Sequence, residues 1–271
     1  MKISEPRLVL LVSIALIPIL AFPAASIPAV ALSSPATIVS ADHGSAQSTN
    51  WSGYAVTGTS GSVSAASDSW VVPSVTCPSS GTYYSSFWVG IDGYTSSTVE
   101  QTGTDSDCHN GVASYHAWYE FFPSPSHAIS AITVHPGDVM AAVVFYSAGT
   151  FKAQIKDETT GAQFGASATV SGAARSSAEW IVEAPSTCLL KCHLTSLADF
   201  GTAKFGLDNT GISMTCELIM NGATGSIGSF GSNVQEITMV SQTNPSQVKA
   251  QPSALATDGQ SFTIQWISSG P

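Results

Sequence analysis

From about Asn50 to its end the chain holds no run with the apolar period of a long helix. Gly, Asn, Asp, Pro and Ser break it throughout into short segments rich in β-branched and aromatic residues. Such a chain can bury its apolar side chains only by stacking sheets. The expected class is therefore all-β, with antiparallel sheets packed face to face. Strand-like runs fall at Ser67–Val75, Tyr84–Ile91, Ser114–Phe122, Asp138–Tyr146, Phe151–Lys156, Ala178–Glu183, Ile212–Met220 and Ser261–Ile267. Alternation of apolar and polar residues is clearest in Phe151-Lys152-Ala153-Gln154-Ile155-Lys156 and in Phe262-Thr263-Ile264-Gln265-Trp266, so each of these strands buries one face. A helical turn is tolerable only within residues 194–206, and no repeat of fixed period is present.

Of the 271 residues, the first 33 have the order of a secretory signal peptide: Lys2 and Arg7, an apolar run from Leu8 to Phe22, then small residues ending in Ala29-Val30-Ala31. Pro18 interrupts the run, which is shorter than the roughly 20 residues of a spanning helix. Export to the extracellular space is therefore expected, with no membrane association after cleavage. Residues 34–48, rich in Ser, Ala and Thr, read as a short pro-segment or linker, and residues 49–271 as one domain. Five cysteines fit an oxidising compartment, and an odd number leaves one thiol over. Spacing does not fix the connectivity; the pairing taken as an expectation is Cys188 with Cys192 and Cys77 with Cys108, leaving Cys216 buried.

Eight basic residues against 18 acidic ones, a net charge of −10, exclude the basic patch a nucleic-acid partner needs. Only 10% of the chain is charged. With few cations to repel one another once carboxylates neutralise, the chain suits an acidic habitat, although a glycan-binding or cell-surface protein would share this composition. A monomer is the default expectation for a secreted chain of this kind.

Hydrolytic chemistries can be taken in turn. No Gly-x-Ser-x-Gly elbow has a matching Asp and His, and no pair of Asp-Thr-Gly or Asp-Ser-Gly turns offers two carboxyls sharing a proton. No Cys-x-x-Cys pair or His-rich helix supplies a metal set, so neither metal nor cofactor is expected. The nearest look-alike is Gln101-Thr102-Gly103, with Gln where the acid would stand.

Around it the sequence resembles the glutamic peptidase (eqolisin) family. The segments Asn50-Trp51-Ser52-Gly53-Tyr54, Trp88-Val89-Gly90-Ile91-Asp92-Gly93, Val99-Glu100-Gln101-Thr102-Gly103, Trp118-Tyr119-Glu120-Phe121-Phe122-Pro123 and Ala178-Glu179-Trp180-Ile181-Val182-Glu183 follow one another in the family's order. The resemblance runs from about residue 50 to the C-terminus. It implies a concanavalin-like jelly roll of two bent antiparallel sheets, a dyad of Gln101 and Glu183 on a concave face, and protein or peptide substrates. It also implies a cleft lined by Trp51, Trp88, Trp118 and Glu120. Trp70, Trp180 and Trp266 are expected in the core. Ala184-Pro185-Ser186 and Tyr94 depart from the fungal pattern, which puts subsite preference in doubt and points to a bacterial or archaeal member.

The residue types suit the chemistry. Amide hydrolysis needs one group to take the proton of water and another to stabilise the oxyanion; a carboxylate does the first and a primary amide the second. Because residues 179, 181 and 183 share one strand face, Glu183 stands on a rigid scaffold. Asp92 either orients Gln101 or substrate, or simply serves its Asp-Gly turn. His116 alternates with Trp118 and Glu120 and so looks toward the same face. Taken singly, a Glu or Gln on a strand is usually a solvated or hydrogen-bonding filler; the five ordered motifs set this pair apart. The alternative is a glycan-binding or glycan-hydrolysing sandwich using Glu120 and Glu183, in which Gln101 would be incidental.

Overall fold

The computed structural model describes residues 31–188 and 191–270, so the expected signal peptide lies outside the described residues except at its last three positions. In chain order the strands are β1 (Ala31–Leu32), β2 (Ile38–Asp42), β3 (Ser45–Ser48), β4 (Trp51–Thr57), β5 (Val63–Val71), β6 (Thr82–Tyr83), β7 (Ser86–Ile91), β8 (Val99–His109), β9 (Val112–Phe122), β10 (His127–Ile129) and β11 (Val139–Ser147). They continue as β12 (Thr150–Asp157), β13 (Gln163–Ala168), β14 (Ser177–Glu183), β15 (Ser186–Cys188), β16 (Cys192–Leu194), β17 (Thr202–Phe205), β18 (Glu217–Met220), β19 (Ala223–Ser226), β20 (Val234–Val240), β21 (Val248–Pro252) and β22 (Phe262–Trp266).

One sheet runs β10-β9-β8-β7-β14-β4-β20-β3-β2. The other runs β13-β12-β11-β5, and the far edge of β5 is shared by β18 and β17, which continue to β19 and to β22-β21. Pairing of β20 with β21 joins the layers. The pairings are antiparallel as expected, save that β3 lies parallel to β20. Among the described residues no helix is long and apolar enough to cross a membrane.

The main core fills the space between the sheets with Trp70, Phe87, Val89, Met140, Val144, Phe151, Ile155, Trp180, Val182, Phe205 and Phe262, and Trp266 packs against its edge. Along β12, Phe151, Ala153 and Ile155 are buried while Lys152 and Gln154 face water, the alternation written in the sequence. Every residue of β14 is buried, because the strand sits between β4 and β7 with side chains covered on both faces. Close approach of β4 to β14 requires Gly53: its φ is 142°, and a Cβ there would run into the Trp180 carbonyl oxygen.

Several boundaries differ from the sequence reading for identifiable reasons. The run expected from Ile212 becomes a strand only at Glu217, since Met214 and Cys216 adopt positive φ. The helical turn expected within 194–206 is replaced there by β17; an α-helical turn, Leu207–Thr210, follows Gly206, whose φ is 88°, and a 3-10 segment spans Ile227–Asn233. Residues 34–48 contain β2 and β3, which extend the first sheet. Both expected disulfides are present, Cys77–Cys108 and Cys188–Cys192. Cys216 is free and buried, its Sγ 3.1 Å from the Asp68 carboxylate.

Candidate active site

On one face of the first sheet, Trp51, Trp88 and Trp118 form a second apolar cluster with Ala46, Ala55, Val99, Ile181 and Ile237, separate from the main core. The Trp51 and Trp88 rings meet edge to face with centroids 4.9 Å apart. Register explains the grouping. Glu183 is paired with Trp51 on one side and with Ser86 on the other, two positions from Trp88, while Gly103 of β8 lies opposite both Trp88 and Trp118. Gly103 has to be Gly: a Cβ there would meet the Phe87 carbonyl and press at 2.6 Å on the Trp88 Cβ.

Glu183 is fully buried. Its Oε2 accepts from the Trp88 indole N–H at 3.0 Å, and its Oε1 accepts from the Ser34 backbone N–H at 3.0 Å and from Asn50 Nδ2 at 3.5 Å. Burial pushes the Glu183 carboxyl up to about 8, against the opposing pull of the Ser34, Trp88, Ser33 and Asn50 donors.

Gln101 also has no exposed surface. It stands opposite Glu120 in the β8–β9 pairing, and its Nε2 donates to Glu120 Oε2 at 2.8 Å. Burial, then the charge of Glu183, lifts the Glu120 carboxyl to about 9. Glu120 thus anchors the Gln101 carboxamide. Four buried polar atoms here, Gln101 Oε1, Glu120 Oε1, Trp51 Nε1 and Trp118 Nε1, have no protein partner. They are groups an extended peptide could satisfy.

Asp92 follows directly on β7. With φ 72° it turns the chain, and its carboxylate accepts from the backbone N–H groups of Arg175 and Ser176 at 2.6 and 2.9 Å. Its recorded hydrogen bonds clamp that loop and do not reach Gln101. Farther along β8 and β9, His116 Nε2 is 3.1 Å from Asp105 Oδ2, with Asp107 close by. Burial pulls the His116 imidazole down, but the two carboxylates outweigh it and raise it to about 9. This imidazolium and its acids form a self-contained ion pair beyond Gln101.

Two contributors escaped the sequence reading. Asn50 opens the first motif, yet nothing in an Asn before a Trp marks it as a partner of Glu183, 133 residues away. Ser34 lies in a stretch read as a linker, and its contact with Glu183 spans 149 residues.

A model of the Peptidase A4 family matches residues 49–252. Aspergillopepsin-2 from Aspergillus niger is 33% identical over 183 residues, which cover 58% of this chain and 62% of that protein. Scytalidopepsin B from Scytalidium lignicola is 34% identical over 124 residues, covering 43% and 46% respectively. The aligned stretches thus span less than two thirds of either relative. The crystal structure of scytalido-glutamic peptidase with a transition state analog inhibitor superposes with a TM-score of 0.67 at 24% identity, covering 81% of this chain and 98% of that one, so the two share a fold.

Proposed function

This chain belongs to the Peptidase A4 family, and from that membership and its cleft we propose that it is an exported endopeptidase that hydrolyses peptide bonds in acid with Glu183 and Gln101. Ionised Glu183 takes a proton from water, which attacks the peptide carbonyl carbon, and the same carboxyl then returns the proton to the leaving nitrogen. Gln101 commits one N–H to Glu120 and keeps the second for the oxyanion. Trp51, Trp88 and Trp118 wall the cleft and keep water from the remaining polar groups. No step calls for a metal or cofactor.

The observation that carries this reading is Glu183 itself: a buried carboxylate gripped by N–H donors from separate segments, in a cleft whose other acid holds a Gln. Among the described residues no salt bridge reaches Glu183, so hydrogen-bond donors alone hold it. Burial is the largest influence on its carboxyl, so solvent entering the cleft returns it from about 8 toward its ordinary 4.5, where the base form persists in mild acid. Gln cannot titrate, so one acidic ionisation should govern the rise in rate. Protein or peptide chains are the substrates, and the reading treats the enzyme as a monomer.

The test is cleavage of a denatured protein from about pH 2 to about pH 8 with a chelator and an inhibitor of pepsin-type enzymes added in parallel. Activity confined to acid and indifferent to both additions is expected. Loss of activity on chelation, or none at any pH while a glycan is bound or cut, would overturn the reading.

A further inference from the structure

Outside the proposed dyad, one group of side chains has the makeup of a cation site. The β8–β9 register sets Gln101 opposite Glu120 and Asp105 opposite His116, so alternation puts Asp105, Asp107 and His116 on the face that carries Gln101 and Glu120. Asp105 stands about 13 Å along the strand from Gln101. The donor atoms of Asp105, Asp107 and His116 all lie within 4.8 Å of one another, and His116 Nε2 is 3.1 Å from Asp105 Oδ2. Ligands held at about 2.0–2.2 Å by one tetrahedral metal ion stand about 3.3–3.6 Å apart. One edge of such a set is therefore already in place, and side-chain rotation moving a donor atom by about 1 Å closes the rest.

Three features set this group apart from an ordinary acidic cluster. Asp105 is 5% exposed, yet its Oδ1 is buried without a hydrogen-bond partner. The contact with His116 uses Oδ2 alone, so the carboxylate that faces the imidazole keeps one oxygen unsatisfied, at a cost in free energy until a ligand reaches it. Charge is unbalanced as well. Two buried carboxylates share one imidazolium, and among the described residues no Lys or Arg forms a salt bridge with either. A dication with two carboxylates and a neutral imidazole is neutral overall. The group is also held and reachable: the Ser85 backbone N–H donates to Asp107 Oδ1 at 3.1 Å and orients that carboxylate, and the Cys77–Cys108 bridge anchors the strand at the next residue. His116, with 40% of its side chain exposed, opens the group to solvent.

We propose that Asp105, Asp107 and His116 form a binding site for a divalent transition-metal ion of the zinc or manganese kind, with water completing its coordination. Imidazole suits the first of these ions and carboxylate the second. The three residues meet through a strand pairing, which is why their spacing in the sequence matches no metal motif. The ion ties β8 to β9 and takes no part in the hydrolysis proposed for Glu183 and Gln101.

The test is calorimetric titration of the full chain, stripped with a chelator and dialysed, with zinc chloride and separately with manganese chloride. A bound ion must replace the imidazole proton, so the titration is run at about pH 8. For at least one of the two metals, one ion per chain should bind with a Kd in the micromolar range or below, about −8 kcal/mol at 1 μM. Metal at about a hundred times Kd should raise the melting temperature by about 5 °C or more. Asp107→Asn and His116→Gln each remove one ligand with little change of size. Each should weaken binding by about a hundredfold or more and abolish the rise. Circular dichroism without metal shows whether the variants fold. Cobalt(II), a paramagnetic ion of the same class, should shift the ring protons of His116 in the unaltered chain, a readout that needs no variant.

No binding of either metal below about 100 μM overturns the site, as does binding that a folded variant retains at full strength. Cobalt that leaves the His116 ring unmoved overturns it as well. None of these outcomes bears on the proposed function, whose own test is proteolysis in acid.

Discussion

Replacement of Trp88 by Phe isolates one contact of the site. It keeps an aromatic ring against Trp51 but deletes the indole N–H that lies 3.0 Å from Glu183 Oε2. A hydrogen bond to a buried charged group is worth about 1.5–3 kcal/mol, and here it favours the carboxylate over the carboxylic acid. Losing it raises the Glu183 pKa by about one to two units, at about 1.4 kcal/mol per unit. The sign follows directly: a base with a higher pKa is ionised in a smaller fraction of molecules at a given acid pH. On the acid limb kcat/KM should therefore fall about tenfold to a hundredfold, and the limb should move to higher pH. The assay is the pH profile of kcat/KM on a quenched peptide, with circular dichroism to show that the variant folds. An acid limb that stays in place, with kcat/KM within about twofold of the parent, would refute the claim that this indole carries the charge of Glu183.

Other expectations follow from the fold and its buried acids. Glu183, Glu120 and Glu100 are held protonated up to about 8, 9 and 9, against an ordinary value of 4.5, so the folded chain binds more protons than the unfolded chain between those limits. Their contribution to stability is full below about pH 4.5 and is lost as pH rises toward 9. His116, raised to about 9, acts in the same direction above its ordinary 6.5, and Lys249, lowered to about 8, opposes it only above that pH. The melting temperature of the full chain should be several degrees higher near pH 5 than near pH 8; calorimetry showing the reverse order would contradict this. Gly53→Ala should cost about 3 kcal/mol or more in urea unfolding, because φ and the Trp180 carbonyl both forbid the methyl group. Removing the Cys77–Cys108 bridge, whose cysteines are 31 residues apart, should cost about 3–4 kcal/mol in the same assay.

Much of this fold was legible because several strands write their burial as alternation. Phe151–Lys156 and Phe262–Trp266 each bury one face, and their apolar residues mark it. Strand β8 was not legible as a strand. Its residues Glu100, Gln101, Thr102, Thr104, Asp105, Ser106 and Asp107 are polar, yet all are buried, because the strand sits between β7 and β9 with both its faces covered. Polarity that serves a site erases the pattern that identifies a strand. Gln101 and Glu183 were singled out through the order of five motifs, not through local periodicity. The bond of Glu120 to Gln101 depends on the β8–β9 register, which no single segment encodes. Asn50 and Ser34 reach Glu183 across more than a hundred residues, and only the folded sheet brings them there.

The central claim is that Glu183 and Gln101 act together on one chemical step. A double-mutant cycle of Glu183→Gln and Gln101→Ala, read by single-turnover cleavage of one peptide in acid, tests it most directly. Each single variant should lose about a thousandfold or more, and the double variant little beyond the worse single one. Glu183→Gln activity within about tenfold of the parent, or losses that simply multiply in the double variant, would contradict it.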